Sequence, residues 1–491
     1  MFSSNTVEMA PLSPWLPVRP NQDFDLIVNV VGSTPSTLMK DWTPLGQVLA
    51  QRGMSVMMQH GKRTGDLGEP ALRMRVSARP FYSMGHGCDI LIQLGNASSE
   101  SQEFGSPLQP GSIILYQSAG DQRSCPILPT GVIGYAVPLK ELCLQGEGLN
   151  TTSLVALGVL LHLLGVPEKT LHRWSSLFSA PRSFVAGVNF AQCTIEKRDA
   201  YSIPRPEGVS KGGIMLLPEQ AILLGYSLSD CACHTTCESD LLQAPVSWAA
   251  RHIAFAGSMV SMLKSGIYPE VLAYRGPEGK VMTLVRGDEC AIASCVKESR
   301  SPCVLVAADI PDAITLLLFG HELILAGHSD RVAVLVEEPI ARRQESVDVS
   351  TLSNIVRRSY SCALHKGASS SYSIGSITSM GQWEGEPKAD VGFVAWGMAQ
   401  GVVHDAVNLC GNFGLRVRAL YPKYIRPFPV GDIESFAKTV DRVVIVDLDQ
   451  SYDSAHELCS RLPFPVTELR PQPGQRLSPM DIFLREGLGA I

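Results

Sequence analysis

The chain of 491 residues has no apolar run long enough to cross a bilayer. The longest, such as Leu154 to Leu164 and Ile314 to Phe319, fall short of roughly 20 residues, and His162 interrupts the first. No membrane partner is expected. Charge is scarce too, at 18% of residues, and nearly balanced, giving a net −6 that offers no bulk attraction to a nucleic-acid backbone. The 13 cysteines are too scattered for a disulfide scaffold and include no Cys-x-x-Cys pair. Met1 to Asn21 is Pro-rich and lacks a basic-then-apolar signal segment, so a cytoplasmic location is expected. What is present is a 45% hydrophobic content over a length worth about three domains.

Apolar runs alternate with helix-like stretches along the chain. Asp25 to Val31 reads as a buried strand that ends in the polar turn Gly32-Ser33-Thr34, followed by a helix over Leu38 to Arg52. Ser55 to Met58, Leu72 to Val76, Asp89 to Leu94 and Ser112 to Tyr116 read as further strands. Asn150 to Leu164 and a stretch opened by Pro167-Glu168-Lys169 read as two helices closing this unit. Val281 to Val285, Cys303 to Ala308 and Val332 to Val336 are the clearest strands of a middle region. A last set follows: strands at Val391 to Trp396, Leu415 to Leu420 and Arg442 to Val446, helices at Gly401 to Phe413, Ile433 to Thr439 and Ser454 to Arg461. Strand–helix alternation predicts an α/β fold of three successive domains with mostly parallel sheets. The boundaries expected are a Pro-rich extension over 1–24, domains over 25–205 and 206–345, a Ser-rich linker over 346–389, and a domain over 390–491.

Three local clusters carry possible chemistry. The turn at Gly32 and Ser33 sits between strand and helix, where backbone N–H groups can receive an anion such as a phosphate; a plain polar turn is the alternative. Lys62 and Arg63 beside Gly61 can pair with a phosphate or stand as solvated loop charges. Cys231, Cys233, His234 and Cys237 lie within seven residues, but without a second ligand pair elsewhere they read as thiols on a turn rather than as a zinc or iron–sulfur site.

The order of these blocks, over about Asp25 to Leu488, resembles the alpha subunit of the 2-oxoacid:ferredoxin oxidoreductases in the form with a gamma domain fused at its N-terminus. In the first block, Asp25 to Gly32, Arg73-Met74-Arg75-Val76-Ser77 with Pro80, Asp89-Ile90-Leu91-Ile92, Ala156-Leu157-Gly158 and Asn189 look like gamma-domain landmarks. In the last block, Trp396-Gly397, Ala406-Val407, Tyr421 to Pro429, Val443 to Asp447 and Leu477 to Ile482 look like the family's transketolase C-terminal-like domain. The middle block, by resemblance a pyrimidine-binding domain, departs from the pattern after Glu219 to Gly225. The family's Tyr-Pro-Ile-Thr-Pro is absent, with Thr236 to Asp240 nearest, so Ser239 and Asp240 are the candidate cofactor-side residues. Aligned on Ile253-Ala254 and Gly266, the family's cofactor-activating glutamate is replaced by His252, and Ser-Gly-Pro-Gly gives way to Arg275 to Gly279.

The resemblance implies oxidative decarboxylation of a 2-oxoacid to an acyl-CoA, with coenzyme A as co-substrate and electrons passing to a ferredoxin-type acceptor. It also implies thiamine diphosphate with magnesium at the interface with a beta subunit, an iron–sulfur cluster on that partner, and a heterodimer or dimer of heterodimers. His252 is then either a substitute for the carboxylate that supports the imino tautomer of the aminopyrimidine, or a satisfied core histidine. The second expectation is a degenerate alpha homologue that is a structural subunit of such a complex.

Overall fold

The computed structural model describes residues 24–61, 71–95, 108–118, 128–204, 212–217, 220–221, 233–235, 271–275, 281–287, 302–325, 329, 331–355, 381–448, 454–471 and 477–487. Three sheets organise them, covering an α/β fold.

The first sheet has eight strands: β1 (Asp25–Val31), β2 (Ser55–His60), β3 (Leu72–Ser77), β4 (Cys88–Gln93), β5 (Leu108–Gln117), β6 (Ile133–Val137), β7 (Gly213–Leu216) and, much later in the chain, Arg343–Asp348. In spatial order β6, β5, β4 and β1 run parallel; β3, β2, Arg343–Asp348 and β7 then continue antiparallel. The runs read as strands from their apolar content are these strands, and their inner residues are buried as that content demands. Arg343–Asp348 is polar in sequence, and pairing alone explains it: it fills the gap between β2 and β7, with Ser346 Oγ accepting from the Val56 N–H at 2.7 Å.

Helix α1 (Pro35–Gln51) covers this sheet beside α2 (Leu139–Gln145), α3 (Thr152–Leu163), α4 (Glu168–Ser175) and α5 (Pro181–Thr194). The helices read at Asn150 and Pro167 are α3 and α4. α5 was visible only through Asn189, because its Ser, Gly, Asn and Gln content hides its apolar stripe. α3 is apolar and buried on every side except at the partly exposed Thr152 and His162. It meets α5 at backbone contact distance: a Cβ on Gly158 would lie 2.3 Å from the Phe184 carbonyl oxygen, and one on Gly187 2.1 Å from that of Val155. Trp42 Nε1 of α1 donates to Ser153 Oγ at 3.0 Å, tying α1 to the same helix.

The middle sheet comprises β8 (Cys233–Thr235), β9 (Val271–Arg275), β10 (Val281–Gly287), β11 (Pro302–Val306) and β12 (Arg331–Glu337), with helix α6 (Ile310–Leu325) after β11. β10, β12 and β11 are parallel. The third sheet is β14 (Gln382–Gly385), β16 (Val417–Tyr421), β15 (Ala389–Ala395), β18 (Val440–Val446) and β19 (Thr467–Leu469) in spatial order, parallel except for the edge strand β14; β13 is the Arg343–Asp348 strand introduced above. Helices α7 (Met398–Asn412), α8 (Val430–Ala437) and α9 (Ser454–Arg461) accompany it.

The two sheets share a core: Val304, Val306, Ala333 and Leu335 of the middle sheet pack in one cluster with Val394, Trp396, Leu420 and Ile445 of the third. Strand β17 (Tyr424–Arg426) leaves the third unit to pair antiparallel with β11. Among the described residues no helix is long and apolar enough to cross a membrane.

The reciprocal glycine contact leaves no room for a methyl group. Gly158→Ala and Gly187→Ala are each expected to lower stability by about 1–3 kcal/mol, read as a lower urea midpoint of the transition that reports the first unit. Gly165→Ala, where nothing lies within 4 Å but φ is +74°, separates backbone strain from crowding.

Candidate functional site

β1 ends at Gly32, whose φ of +86° and whose missing side chain let the chain turn against Gly95; a Cβ here would lie 2.6 Å from the Gly95 nitrogen. Gly32 and Ser33 therefore stand at the carboxyl ends of the neighbouring parallel strands β1 and β4, the edge at which open α/β sheets bind ligands. The N-cap of α1, Thr34, makes no side-chain bond to the helix's backbone; its hydroxyl pairs with that of Thr37 at 2.7 Å. Lys62, Arg63, Cys231, Cys237, Ser239, Asp240 and His252 lie outside the described residues, and Cys233 falls on β8. Among the described residues no group of three or more His, Cys, Asp or Glu is placed to hold a metal ion.

The structure assembles a second site that sequence reasoning missed. Gly397 (φ +54°, ψ −139°) turns the chain from β15 into α7, beside Glu337 of the middle unit, whose carboxylate accepts from the Met398 N–H. α7 then carries Gln400, Gly401, His404 and Asp405, two pairs one turn apart. Gly401 lets the helix touch the first unit: a Cβ there would meet the Tyr82 carbonyl oxygen at 2.0 Å. Asp405 accepts from the Ser83 hydroxyl at 2.6 Å, the Ser83 N–H at 3.2 Å, the Tyr82 N–H at 3.3 Å and Arg75 Nη1 at 2.9 Å. Arg75 in turn clasps Asp25 with Nε at 2.9 Å and Nη2 at 2.7 Å. Burial works to lower the Arg75 pKa, but the bonds to Asp25 and Asp405 and their charges outweigh it and hold it above its usual value.

Between these contacts lies a cavity of about 440 Å³. The first unit contributes Tyr82, the middle unit Ala308 and Asp309 from just beyond β11, and the third unit Trp383, Glu384, Gln400, His404 and Tyr421. Glu384 Oε2 accepts from the Tyr421 hydroxyl at 2.7 Å and pairs with His404 Nδ1 at 2.7 Å. The Tyr82 ring meets the His404 ring edge-on at 4.1 Å. Lys423 Nζ is divided between Asp312 at 2.9 Å and Gln400 at 2.7 Å. Asp309 Oδ1 accepts from the Asp312 N–H at 2.7 Å. Burial, then the carboxylates of Glu345 and Asp312, push Asp309 up to about 7, against the smaller opposing pull of Lys423. Burial raises Tyr82 and Tyr421 as well, with the negative charges of Glu384 and Asp405 acting in the same direction on both.

Such a constellation can hold a ligand that donates hydrogen bonds and can exchange a proton near neutral pH. The only sequence sign of it was the set of landmarks Trp396-Gly397, Tyr421 and Arg75, none of which marks Asp309, Glu384 or His404.

Because Asp309 is raised from 3.8 to about 7, the folded chain holds a proton that the unfolded chain has already released across that window. The favourable contribution is fully present below pH 3.8 and is lost as pH rises to about 7. Asp309→Asn keeps an acceptor for the Asp312 N–H and carries no charge. It is expected to be more stable than the parent chain at pH 8, on the order of 1–4 kcal/mol, with the difference shrinking towards pH 4; thermal melts across pH check this.

Residues 389–476 match the family pyruvate:ferredoxin oxidoreductase core domain II. Among solved structures, 2-oxoglutarate:ferredoxin oxidoreductase from Magnetococcus marinus, with 2-oxoglutarate, coenzyme A and succinyl-CoA bound, is similar over 95% of this chain and 100% of that chain, with a TM-score of 0.70 and 16% identity. Two shorter chains also match: pyruvate oxidoreductase subunit PORC from Thermotoga maritima (16% identity, 34% of this chain and 90% of that one, TM-score 0.24) and the keto/oxoacid ferredoxin oxidoreductase gamma subunit from Geobacter sulfurreducens (17% identity, 35% and 99%, TM-score 0.23). No curated protein matches the sequence.

Proposed function

We propose that this chain, with a core domain II of the pyruvate:ferredoxin oxidoreductases over residues 389–476 and the fold of a 2-oxoacid:ferredoxin oxidoreductase along its length, is the alpha/gamma-type subunit of a 2-oxoacid:acceptor oxidoreductase complex. The observation that carries the reading is the coincidence of the two: the family match is confined to the third unit, yet the fold similarity extends over 95% of the chain. On this reading the reaction is oxidative decarboxylation of a 2-oxoacid to an acyl-CoA with electrons passing to ferredoxin. Thiamine diphosphate with magnesium would be held between this chain and a beta subunit that also carries the iron–sulfur cluster.

In that pocket the thiamine supplies the carbanion-stabilising chemistry. His252 would hydrogen bond the aminopyrimidine in place of the family's glutamate, and Ser239 and Asp240 would line the same side. Gly32 and Ser33 would receive an anionic group through backbone N–H groups, as a coenzyme A phosphate requires. The sequence has no Gly-Asp-Gly with a following Asn run for a diphosphate–magnesium site, so the chain is expected to be inactive by itself.

A second reading, a structural subunit without turnover, is favoured by one specific observation. The Tyr-Pro-Ile-Thr-Pro, the glutamate and the Ser-Gly-Pro-Gly are missing together, and all three belong to one site.

The chain should be purified with whatever accompanies it, and its thiamine diphosphate, iron and 2-oxoacid-dependent dye reduction measured beside His252→Ala and His252→Glu. Turnover that falls by roughly 100-fold or more in His252→Ala, the scale of a lost acid–base group, is the expected outcome. A complex that assembles without thiamine diphosphate and responds to neither variant overturns the catalytic reading and establishes the structural one.

A further inference from the structure

The junction cavity has features that the oxidoreductase reading does not use. Its volume of about 440 Å³ is that of a small-molecule site. It lies at the carboxyl ends of β11 and β16 and beside the first two turns of α7, the place where parallel sheets bind ligands. Two large aromatic side chains, Tyr82 and Trp383, are each left 43% exposed on its wall. Folding alone gives no reason to leave two such surfaces open side by side.

The carboxyl groups on the cavity wall are those of Asp309 and Glu384, and Glu384 is paired with His404 of the same wall. Among the described residues its lining contains no lysine or arginine. The cations nearest to it are committed: Lys423 to Asp312 and Gln400, Arg343 to Glu345, and Arg75 to Asp25 and Asp405. Glu384 and Asp309 line the space, with Asp312, Glu345 and Asp405 close behind them. Asp309, Tyr82 and Tyr421, from three different elements, all have the anionic form disfavoured by neighbouring carboxylates as well as by burial. An anionic ligand such as a carboxylate or phosphate meets repulsion here. A bare divalent ion lacks the required shell of oxygen ligands, since no cluster of three metal-holding side chains is present among the described residues. A guanidinium already lies against one wall: Arg418 sits over the Trp383 ring, 4.6 Å from its centroid.

We infer that this cavity binds a small organic cation bearing N–H donors, a guanidinium or a primary amine, which donates to the carboxyl groups of Asp309 and Glu384 and rests its apolar part on Tyr82 and Trp383. The inference stands independently of the oxidoreductase reading. Binding gives Asp309 a cationic partner to set against Glu345 and Asp312. Its carboxyl then ionises, and a proton leaves the protein near pH 7.

The test is calorimetric titration of the full chain, together with whatever co-purifies, using agmatine and butylamine as probes. Tetramethylammonium serves as a cation without donors and glutarate as an anion. Saturable binding of agmatine or butylamine is expected, with no binding of glutarate and weaker binding of tetramethylammonium. Affinity should fall by about tenfold or more in Asp309→Asn and in Glu384→Gln, as for lost hydrogen bonds to charged groups. The heat should depend on the buffer's ionisation enthalpy at pH 7, and that dependence should vanish in Asp309→Asn. Quenching of tryptophan fluorescence by the probe should vanish in Trp383→Phe, a variant that keeps both carboxyl groups. Circular dichroism confirms that each variant is folded. No saturable binding of either amine by the parent chain, or the parent chain's affinity retained in both carboxyl variants, overturns the inference.

Discussion

One guanidinium sets the arrangement of the first and third units. Arg75 lies on β3, yet its fork is shared between Asp25 on β1 and Asp405 on α7, 330 residues further along the chain. Two carboxylates around one cation would be unbalanced by themselves. The surplus is met by the Ser83 hydroxyl and the backbone N–H groups of Tyr82 and Ser83, all directed at Asp405. Arg73, two residues away, fixes the same loop from behind by donating to the carbonyls of Met84, Gly85 and Gly87. A bidentate Arg–carboxylate pair reinforced in this way defines direction as well as attraction. It holds α7 where Gly401 can touch Tyr82, and so places Gln400 and His404 on the cavity wall.

The middle and third units are joined by packing rather than charge. Two sheets with apolar side chains on both faces need cover on both, and each supplies it to the other in the cluster that contains Val306, Leu335, Trp396 and Ile445. The segment from Tyr421 to Arg426 then stitches the seam residue by residue. Tyr421 bonds to Glu384, the Lys423 carbonyl accepts from the Val306 N–H at 3.0 Å, Tyr424 donates to Asp432 at 2.6 Å, and Ile425 enters the shared core. Asp309, three residues past β11, sits beside this seam. Burial raises its pKa first, and the carboxylates of Glu345, on the first sheet, and of Asp312 raise it further.

The strands were legible in the sequence because a doubly covered parallel strand must be apolar along its buried length, as Cys303 to Ala308 and Val443 to Val446 are. Arg343–Asp348 and Gln382–Gly385 were not, because an edge or gap-filling strand is specified by its neighbours' hydrogen bonds and carries no apolar signature. The turn at Gly32 and Ser33 was legible for a local reason, a strand-to-helix reversal that requires positive φ. The cavity was not, since Asp309 takes its character from Glu345, 36 positions away, and His404 from Glu384; neither spacing has any period that a one-dimensional pattern expresses. The resemblance identified the landmarks Arg75, Trp396-Gly397 and Tyr421 but attached no role to them. Their role is the joint.

The residues of the joints also form the cavity, since Gly401 and Tyr421 belong to both. The joints between units rest on Arg75, Asp405, Gly397, Gly401 and the segment Tyr421 to Arg426. A chain under pressure to keep its neighbours must keep close backbone contacts, buried ion pairs and shared apolar faces, because each is intolerant of small change.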